Sequence, residues 1–554
     1  TAAGTTVTLS SVSDAFSNVE TLQGTAGVVM TGATITTTTA EAVTKANVTD
    51  LNNFTTAKVT VTSVQDSRSN VSDIAAINNA EVDMSAAAVT ITDAVTLAQA
   101  NTDVGNLNSL TTGKVTLNKV EDGRANVTTL AAIDNDDVDM SAAAVTITDA
   151  VTLAQANTDV GNLNSLTTGK VTLNSVADTY DNIQAIKLIS DDDVDMGAAA
   201  VKVTSVVDKT KVDDLRTDTT GNITVDSISD NKTNLGLVNA FTDVSLAAAN
   251  ISVTDVVTKA QANTIHAYNT AAGTTVTLSS VSDAFSNVET LQGTAGVVMT
   301  GATITTTTAE AVTKANVTDL NNFTTAKVTV TSVQDSRSNV SDIAAINNAE
   351  VDMSAAAVTI TDAVTLAQAN TDVGNLNSLT TGKVTLNKVE DGRANVTTLA
   401  AIDNDDVDMS AAAVTITDAV TLAQANTDVG NLNSLTTGKV TLNSVADTYD
   451  NIQAIKLISD DDVDMGAAAV KVTSVVDKTK VDDLRTDTTG NITVDSISDN
   501  KTNLGLVNAF TDVSLAAANI SVTDVVTKAQ ANTIHAYNTA AGTTVTLSSV
   551  SDAF

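Results

Sequence analysis

Two acidic clusters contain the residue types that are best suited to binding chemistry. The clusters consist of Asp134, Asp136, Asp137 and Asp139, and of Asp191, Asp192, Asp193 and Asp195. They occupy equivalent places in successive repeats of the sequence. Carboxylates gathered at a turn supply the oxygen ligands that Ca²⁺ prefers. The sequence therefore predicts candidate calcium sites at these residues, and Ca²⁺ is the one cofactor that it suggests.

A plain solvated acidic surface is the alternative interpretation of these clusters. Neither the EF-hand pattern nor the glycine-rich calcium nonapeptide occurs in the chain. Lys58, Lys114 and Lys170 end the intervening repeats, and they are candidates to pair with the acids instead. The sequence leaves both interpretations open.

The sequence offers little for hydrolytic catalysis. The only histidines are His266 and His535, each within the string NTIHAYNTA, so a histidine-dependent triad would occur at most once per long repeat. Glycine-rich phosphate loops, H-E-x-x-H and C-x-x-C are absent. We therefore predict that the chain is not an enzyme, and we assign no catalytic or cofactor-binding residue.

Alternating threonines are a second candidate surface. They occur as Thr60 and Thr62, Thr90 and Thr92, and Thr146 and Thr148. A flat lattice of hydroxyl and methyl groups resembles the surface of ice-binding proteins, but Asn118, Asn174, Lys202 and Asp226 interrupt these rows. Since threonine is also a good exposed strand residue, a structural role is the simpler explanation.

The elements that position these residues are repeats at two scales. Residues 82–118 recur unchanged at 138–174. At the larger scale, 1–269 is copy 1, 270–538 is an identical copy 2, and 539–554 begins a third copy. We take these copies as the domains, because repetition sets the architecture. Since a third copy begins at 539–554, we expect the chain to be a window from a longer array.

Each copy divides into ten units of 22–30 residues that open with a strand signal. The openings are Val7, Ile35, Val59, Val89, Val115, Val145, Val171, Val201, Ile223 and Ile251. In each, β-branched apolar residues alternate with threonine or another polar residue, which is the period of a strand with one buried face. The fold prediction is a repeat solenoid, namely a parallel β-solenoid with short helical turns. A strand-plus-helix solenoid like that of leucine-rich repeats is the alternative.

Polar residues mark where strands end. Asp93 stands where a helix N-cap would lie and Asn101 where that helix would end, which predicts a short helical turn. In the longer units, Asp and Asn lie four residues apart, as in Asp66 and Asn70. This spacing indicates either an Asn ladder between stacked units or turn chemistry within each unit.

Composition narrows the function classes. The net charge is −37, which disfavours binding to nucleic acid or to an anionic membrane surface, and no stretch approaches the roughly 18 apolar residues of a membrane span. The chain has no Cys, Pro or Trp, and aromatics are 2% of residues, so any core is built from Val, Ile, Leu and Ala. The 42% of apolar residues in regular alternation argues for order.

The VTxT-type strand repeats, the acidity, the missing Cys and Pro and the long duplications resemble the giant repetitive surface and extracellular fibre proteins of bacteria. Large repeat adhesins and cyanobacterial surface proteins belong to that group. The resemblance implies an extracellular structural protein that forms a long rod or filament at or around a bacterial cell. Its implied partners are further copies, joined end to end or laterally, and a surface or polysaccharide. The alternative is the stalk of a large repeat adhesin whose binding domain lies outside this chain.

Overall fold

The computed structural model describes residues 4–77, 81–99, 111–133, 138–164, 167–189, 194–346, 350–369, 371, 380–400, 407–433, 436–458 and 463–553. These residues form two compact units. One unit contains Thr1–Asp255, Ala260–Leu278 and Ala295–Val298, and the other contains Val256–Lys259, Ser279–Thr294 and Met299–Phe554.

All paired strands of the first unit run parallel. Its main sheet contains, in spatial order, Ser63–Asp66, Ala88–Val95, Val115–Asp122, Ala144–Val151, Val171–Asp178, Ala200–Val207, Ile223–Asp230 and the start of Asn250–Val257. Short strands branch from it at Val138–Asp139, Val194–Asp195 and Val244–Ser245. A smaller sheet contains Ser11–Asp14, Thr34–Thr37, Val59–Thr60 and Val82–Asp83. Two further pairs are Val7–Thr8 with Val28–Val29, and the start of Val276–Asp283 with Val297–Val298.

The second unit repeats this pattern with parallel strands. The end of Val276–Asp283 pairs with Thr303–Thr306, which is followed by Val328–Thr329 and Val351–Asp352. A larger sheet contains Ser332–Asp335, Ala357–Val364, Val384–Asp391, Ala413–Val420, Val440–Asp447, Ala469–Val476, Ile492–Asp499, Asn519–Val526 and Val545–Val550. Its short branches are Val407–Asp408, Val463–Asp464 and Val513–Ser514.

Short helices alternate with the strands. Within copy 1 they are Phe16–Gln23, Lys45–Phe54, Arg68–Ile77, Arg124–Ile133, Leu153–Asn164, Tyr180–Ile189, Lys209–Asp218, Lys232–Asn239 and Lys259–His266. Within copy 2 they are Phe285–Gln292, Lys314–Phe323, Arg337–Ile346, Arg393–Ala400, Leu422–Asn433, Tyr449–Ile458, Lys478–Asp487, Lys501–Asn508 and Lys528–His535. A further helical turn begins at Leu97. One strand, one helix and the return to the next strand form one coil of the solenoid.

The core of each coil lies between the sheet and the helices. In Ala88–Val95, the side chains of Val89, Ile91 and Val95 are at most 1% exposed, whereas Thr90 on the opposite face is half-buried. Helix Arg68–Ile77 presents Val71 and Ile74, both fully buried, to the same interior. Burial of an aliphatic side chain is worth about 1.5–3 kcal/mol, so stacking of coils supplies most of the stability.

The strands shift laterally as the coils stack. Val89 pairs with Val115, at the start of both strands. Val120, in the second half of its strand, then pairs with Val145 at the start of the next. The first half of Val115–Asp122 pairs instead with the short strand Val138–Asp139. Each long coil therefore offsets the sheet by several residues, and a row of paired side chains extends over a few coils only.

The predicted repeat solenoid of parallel strands is confirmed. The arrangement is a solenoid-like α/β fold, with helices in the longer units as well as the shorter ones. The predicted N-cap at Asp93 is wrong, and the predicted helix end at Asn101 lies outside the described residues. Thr96, rather than Asp93, precedes the helical turn, because Thr96 and Gln99 cap each other's backbone: the Thr96 N–H donates to Gln99 Oε1 at 2.9 Å and the Gln99 N–H to Thr96 Oγ1 at 3.3 Å.

Candidate functional site

The acidic clusters are only partly within the described residues. Asp134, Asp136, Asp137, Asp191, Asp192 and Asp193 lie outside them. The backbone of Asp195 belongs to strand Val194–Asp195, and Asp139 ends the equivalent strand one repeat earlier. Among the described residues, no three acidic, His or Cys side chains come together as a metal would require. Calcium binding at the clusters therefore stays a prediction.

Described acids of this strand position pair with lysine. Asp139 accepts a hydrogen bond from the Ser141 N–H at 2.9 Å, and Lys114 Nζ lies 4.0 Å from its Oδ2. At the equivalent Asp83, Lys58 Nζ lies 2.9 Å away, and the hydrogen bond from Lys58 and those from Ser85 lower the pKa of Asp83 to about 2. Both acids therefore remain ionised near neutral pH. The lysine pairing that the sequence offered as an alternative is present at these two positions.

A row of polar side chains connects each helix to the coil that follows it, and we call it the capping row. Each described helix, and each of the helical turns that begin at Leu97 and Leu366, donates an N–H of its first or second residue to a side chain 21–25 residues later. The members that cap helices of copy 1 are Glu41, Asp66, Asp93, Asp122, Asp149, Asp178, Ser205, Asp230, Asp255 and Asp283. Their counterparts for copy 2 are Glu310, Asp335, Asp362, Asp391, Asp418, Asp447, Ser474, Asp499, Asp524 and Asp552.

The row satisfies groups that a helix cannot satisfy itself. The first N–H groups of a helix have no partner within that helix, and the helix dipole favours a negative charge beside them. Local caps such as Thr44 satisfy a later N–H, that of Asn47, while the Lys45 N–H donates to Asp66 of the next coil at 2.9 Å. A helix in this fold is therefore fully capped only when the following coil is in place.

Asp178 illustrates the geometry of the strand-end members. Its Oδ2 accepts the Leu153 N–H of the preceding coil at 2.9 Å. Its Oδ1 accepts the Thr179 N–H at 2.7 Å and Asn182 Nδ2 at 2.9 Å, both in its own coil. Burial acts to raise the pKa of Asp178, but the hydrogen bonds from Leu153, Asn182 and Thr179 outweigh it and hold the pKa below its ordinary value.

The recurring Asp–Asn spacing is thereby explained. The Asn side chain donates to the Asp carboxylate four residues earlier, at 3.0 Å from Asn70 to Asp66. That bond lies within one unit, as the turn interpretation predicted. The connection between units is made by the second oxygen of the Asp, as where Asp66 Oδ2 accepts the Lys45 N–H, and the Asp–Asn spacing does not reveal it.

Buried threonines form a second connection between coils. Thr111, 5% exposed, donates its hydroxyl to the Ala87 carbonyl of the preceding coil at 2.7 Å. The hydroxyl oxygen of Thr111 also accepts the Gly113 N–H at 2.9 Å. A Cβ on Gly113 would lie 2.2 Å from the Ala87 oxygen, so this close approach requires glycine. The motif recurs at other coil junctions, for example where Thr167 donates to Ala143 at 2.8 Å.

The outward-facing, half-buried threonines occupy short rows on the outer face of the sheet. Thr90 pairs with Thr116, and that pair is bounded by Gln65 on one side and by Asp139 on the other. Thr146 likewise pairs with Glu121 on the preceding strand. The lateral shift thus limits each of these rows to two threonines between glutamine or acidic residues, which is unlike a flat hydroxyl lattice.

His266 ends helix Lys259–His266 and packs against Gly296, where an added Cβ would lie 3.0 Å from its Cε1. A shallow groove of about 240 Å³ lies nearby and is lined by Lys232, Gln261, Ile265 and Tyr268. Copy 2 has the equivalent groove, at about 320 Å³. Neither groove brings an acid and a base together at a reacting centre, and both are open to solvent.

No family model matches the chain, and neither a curated protein nor a solved structure matches it. Within the described residues, no helix has the length and apolar character needed to cross a membrane.

Proposed function

We propose that this chain is an extracellular structural protein that forms a long solenoid rod or filament at or around a bacterial cell. The capping row is the observation that supports this proposal most strongly. Each helix is completed by the next coil, so the cohesion of the fold runs from coil to coil along the stack. Since residues 1–269 and 270–538 are identical, every such contact recurs with the same chemistry.

The composition supports a load-bearing and soluble role. Parallel strands connect successive coils by backbone hydrogen bonds, and Val, Ile and Leu close the interior between them. The 65 acidic residues exceed the 28 basic ones, and this excess of negative charge keeps the outer faces of the chain hydrated. These features favour a repetitive structural element over a unique binding cleft or catalytic cleft.

Self-association is the proposed partnership, either end to end or laterally. A stack of coils that stops leaves an apolar edge and unpaired backbone groups, which another copy of the same coil can cover. Contact with a surface or a polysaccharide is a further proposal, and a tip domain outside this chain would provide it if the rod is the stalk of an adhesin.

Two sets of substitutions, at neighbouring positions of the same strands, test whether coil packing holds the filament together. Aspartate is placed at Ile91, which is 1% exposed, and at its repeats Ile147, Ile360 and Ile416. The control places aspartate at Thr90, on the opposite face of the same strand, and at its repeats Thr146, Thr359 and Thr415. Burial of an unpaired charge is very costly, so the Ile91→Asp set should abolish filaments in electron micrographs while the control retains them.

Two outcomes would count against the proposal. Filaments of normal width from the Ile91→Asp set would refute coil packing as their basis. Native material that consists of single rods with a distinct tip would replace the filament proposal with the adhesin stalk.

A further inference from the structure

The strand-end members of the capping row are carboxylates that face only donors in their polar contacts. Asp178 accepts three hydrogen bonds, two within its own coil and one from the Leu153 N–H of the preceding coil. Asp122 has the same arrangement, with the Leu97 N–H at 2.9 Å, the Gly123 N–H at 2.7 Å and Asn126 Nδ2 at 3.0 Å. A proton on such a carboxyl group would face an N–H donor, so protonation removes at least one of these bonds.

We propose that the capping row is an acid-sensitive latch, in which protonation of its carboxylates releases the helix layer of one coil from the next while the sheet stays paired. The helices depend on the carboxylates for their first N–H groups. The sheet depends on backbone bonds and on buried Val, Ile and Leu, which do not titrate. Acid therefore weakens the attachment of the helix layer, while the backbone pairing of the sheet persists.

The charged surroundings of these carboxylates do not alter this assignment. Among the side chains that the structure describes, the titratable residues on the elements around Asp178 are Asp149 on the preceding strand, Tyr180 and Asp181 on its own helix, and Lys202 on the following strand. Those around Asp122 are Asp93 on the preceding strand, Lys119 and Glu121 on its own strand, Arg124 on its helix, Asp149 on the following strand and Asp139 on the short strand that pairs with Val115 and Thr116. The first turn of helix Leu153–Asn164 contains no acidic residue.

The sign of the effect follows from the hydrogen bonds. The pKa values of Asp122 and Asp178 lie below the ordinary value, because the hydrogen bonds that they accept outweigh the opposite effect of burial. A depressed pKa means that the stabilisation is fully present above the ordinary pKa near 4, and that it is lost as the pH falls through the lower, folded-state pKa. Relief of repulsion among the chain's acids works in the opposite direction, so the test must compare individual helices.

The chain contains its own reference helix. Helix Tyr180–Ile189 donates the Tyr180 N–H to the hydroxyl of Ser205 at 3.0 Å, and Tyr449 does the same with Ser474 at 2.9 Å. A serine hydroxyl does not titrate in this range. The Tyr180 and Tyr449 N–H groups should therefore keep their inter-coil cap in acid, although Asp178 also accepts bonds from Thr179 and Asn182 at the start of the Tyr180 helix. The Leu97 and Leu153 N–H groups, which donate to Asp122 and Asp178, should lose theirs.

Amide hydrogen exchange of the 554-residue chain in a pH series from 7 down to 2 tests the latch. After correction for intrinsic exchange, protection of the first turns that begin at Leu97 and Leu153 should start to fall below the ordinary pKa near 4 and should be roughly tenfold lower at the acid end, as expected for loss of one cap. Both first turns have identical sequences, as do their copies at Leu366 and Leu422, so their peptides report one value. Protection of the Tyr180 amide should change much less, because its acceptor is the hydroxyl of Ser205.

Two variants separate the latch from a general effect of acid. Asp→Asn at positions 122, 178, 391 and 447 should lower the protection at pH 7 and remove its dependence on pH, because the amide does not titrate. Ser205→Asp together with Ser474→Asp introduces a residue that Asp149 already supplies at the equivalent place, and it should make the Tyr180 turn acid-sensitive. Equal losses at the Leu153 and Tyr180 turns in the unmodified chain, or an unchanged Tyr180 turn in the Ser→Asp variant, would overturn the proposal.

Discussion

Replacement of Thr111 by valine is the sharpest test of how the coils hold together. Valine has nearly the same shape as threonine but lacks the hydroxyl that donates to Ala87 O at 2.7 Å and accepts the Gly113 N–H at 2.9 Å. The side chain is 5% exposed, so water cannot readily replace either bond. We expect local destabilisation of the junction between these coils.

The magnitude follows from the two backbone groups that lose this partner. A buried donor or acceptor left unsatisfied costs about 1–3 kcal/mol, so the loss at two such groups should make Thr111→Val cost about 2–6 kcal/mol at this junction. Since about 1.4 kcal/mol is a factor of ten, the amides of strand Val115–Asp122 should exchange at least roughly 30-fold faster. Exchange is the appropriate measurement, because coils of a repeat protein open locally.

The neighbouring threonine provides the control for this prediction. Thr112 is exposed, and its hydroxyl donates at 3.1 Å to Ser85 O, which also accepts the Thr112 N–H at 2.8 Å. Thr112→Val should therefore cost less than about 0.5 kcal/mol, as is usual for surface substitutions. If Thr111→Val accelerated exchange no more than Thr112→Val, the buried hydroxyl would not be what fastens the coils.

Three further predictions concern other parts of the fold. Gly113→Ala should destabilise its turn by about 1–3 kcal/mol in denaturant melts, because the added Cβ would lie 2.2 Å from the Ala87 carbonyl oxygen. Gly123→Ala is the control and should be tolerated, because its Cβ would lie 3.7 Å from the nearest atom. Equal effects of the two substitutions would contradict this prediction. Burial and the hydrogen bond to Asp214 raise the pKa of Tyr180 to about 12, so its contribution to stability is present below pH 10 and lost as the pH rises through 12. Phenolate absorbance should show this pKa, and Asp214→Asn should bring it closer to 10. If the acidic clusters bind calcium, a chelator should lower the melting temperature, and an unchanged midpoint would remove those sites.

The strand pattern was predictable from local sequence, but the inter-coil caps were not. The alternation of Val89, Thr90 and Ile91 specifies which face is buried, because side chains alternate along any strand. Asp93 likewise has the residue type and spacing of a cap. Its partner, however, is Arg68 N–H of the preceding coil at 2.6 Å, a contact that the stacking register determines. A search for carboxylates recurring once per unit beside each strand end would have found the row, although not the direction of its bonds.

The direction of the capping bonds has a consequence for synthesis of the chain. The first N–H of the helix that begins at Lys45 donates to Asp66, which is synthesised 21 residues later. The other helices of the capping row likewise depend on a residue that is synthesised 21–25 residues after their own N–H donor. At translation rates of about 5–20 residues per second, a newly made coil waits roughly one to five seconds for completion. In a nascent chain, the most recently folded coil therefore lacks its inter-coil cap until the next coil has been synthesised. Folding advances in the order in which the residues are made.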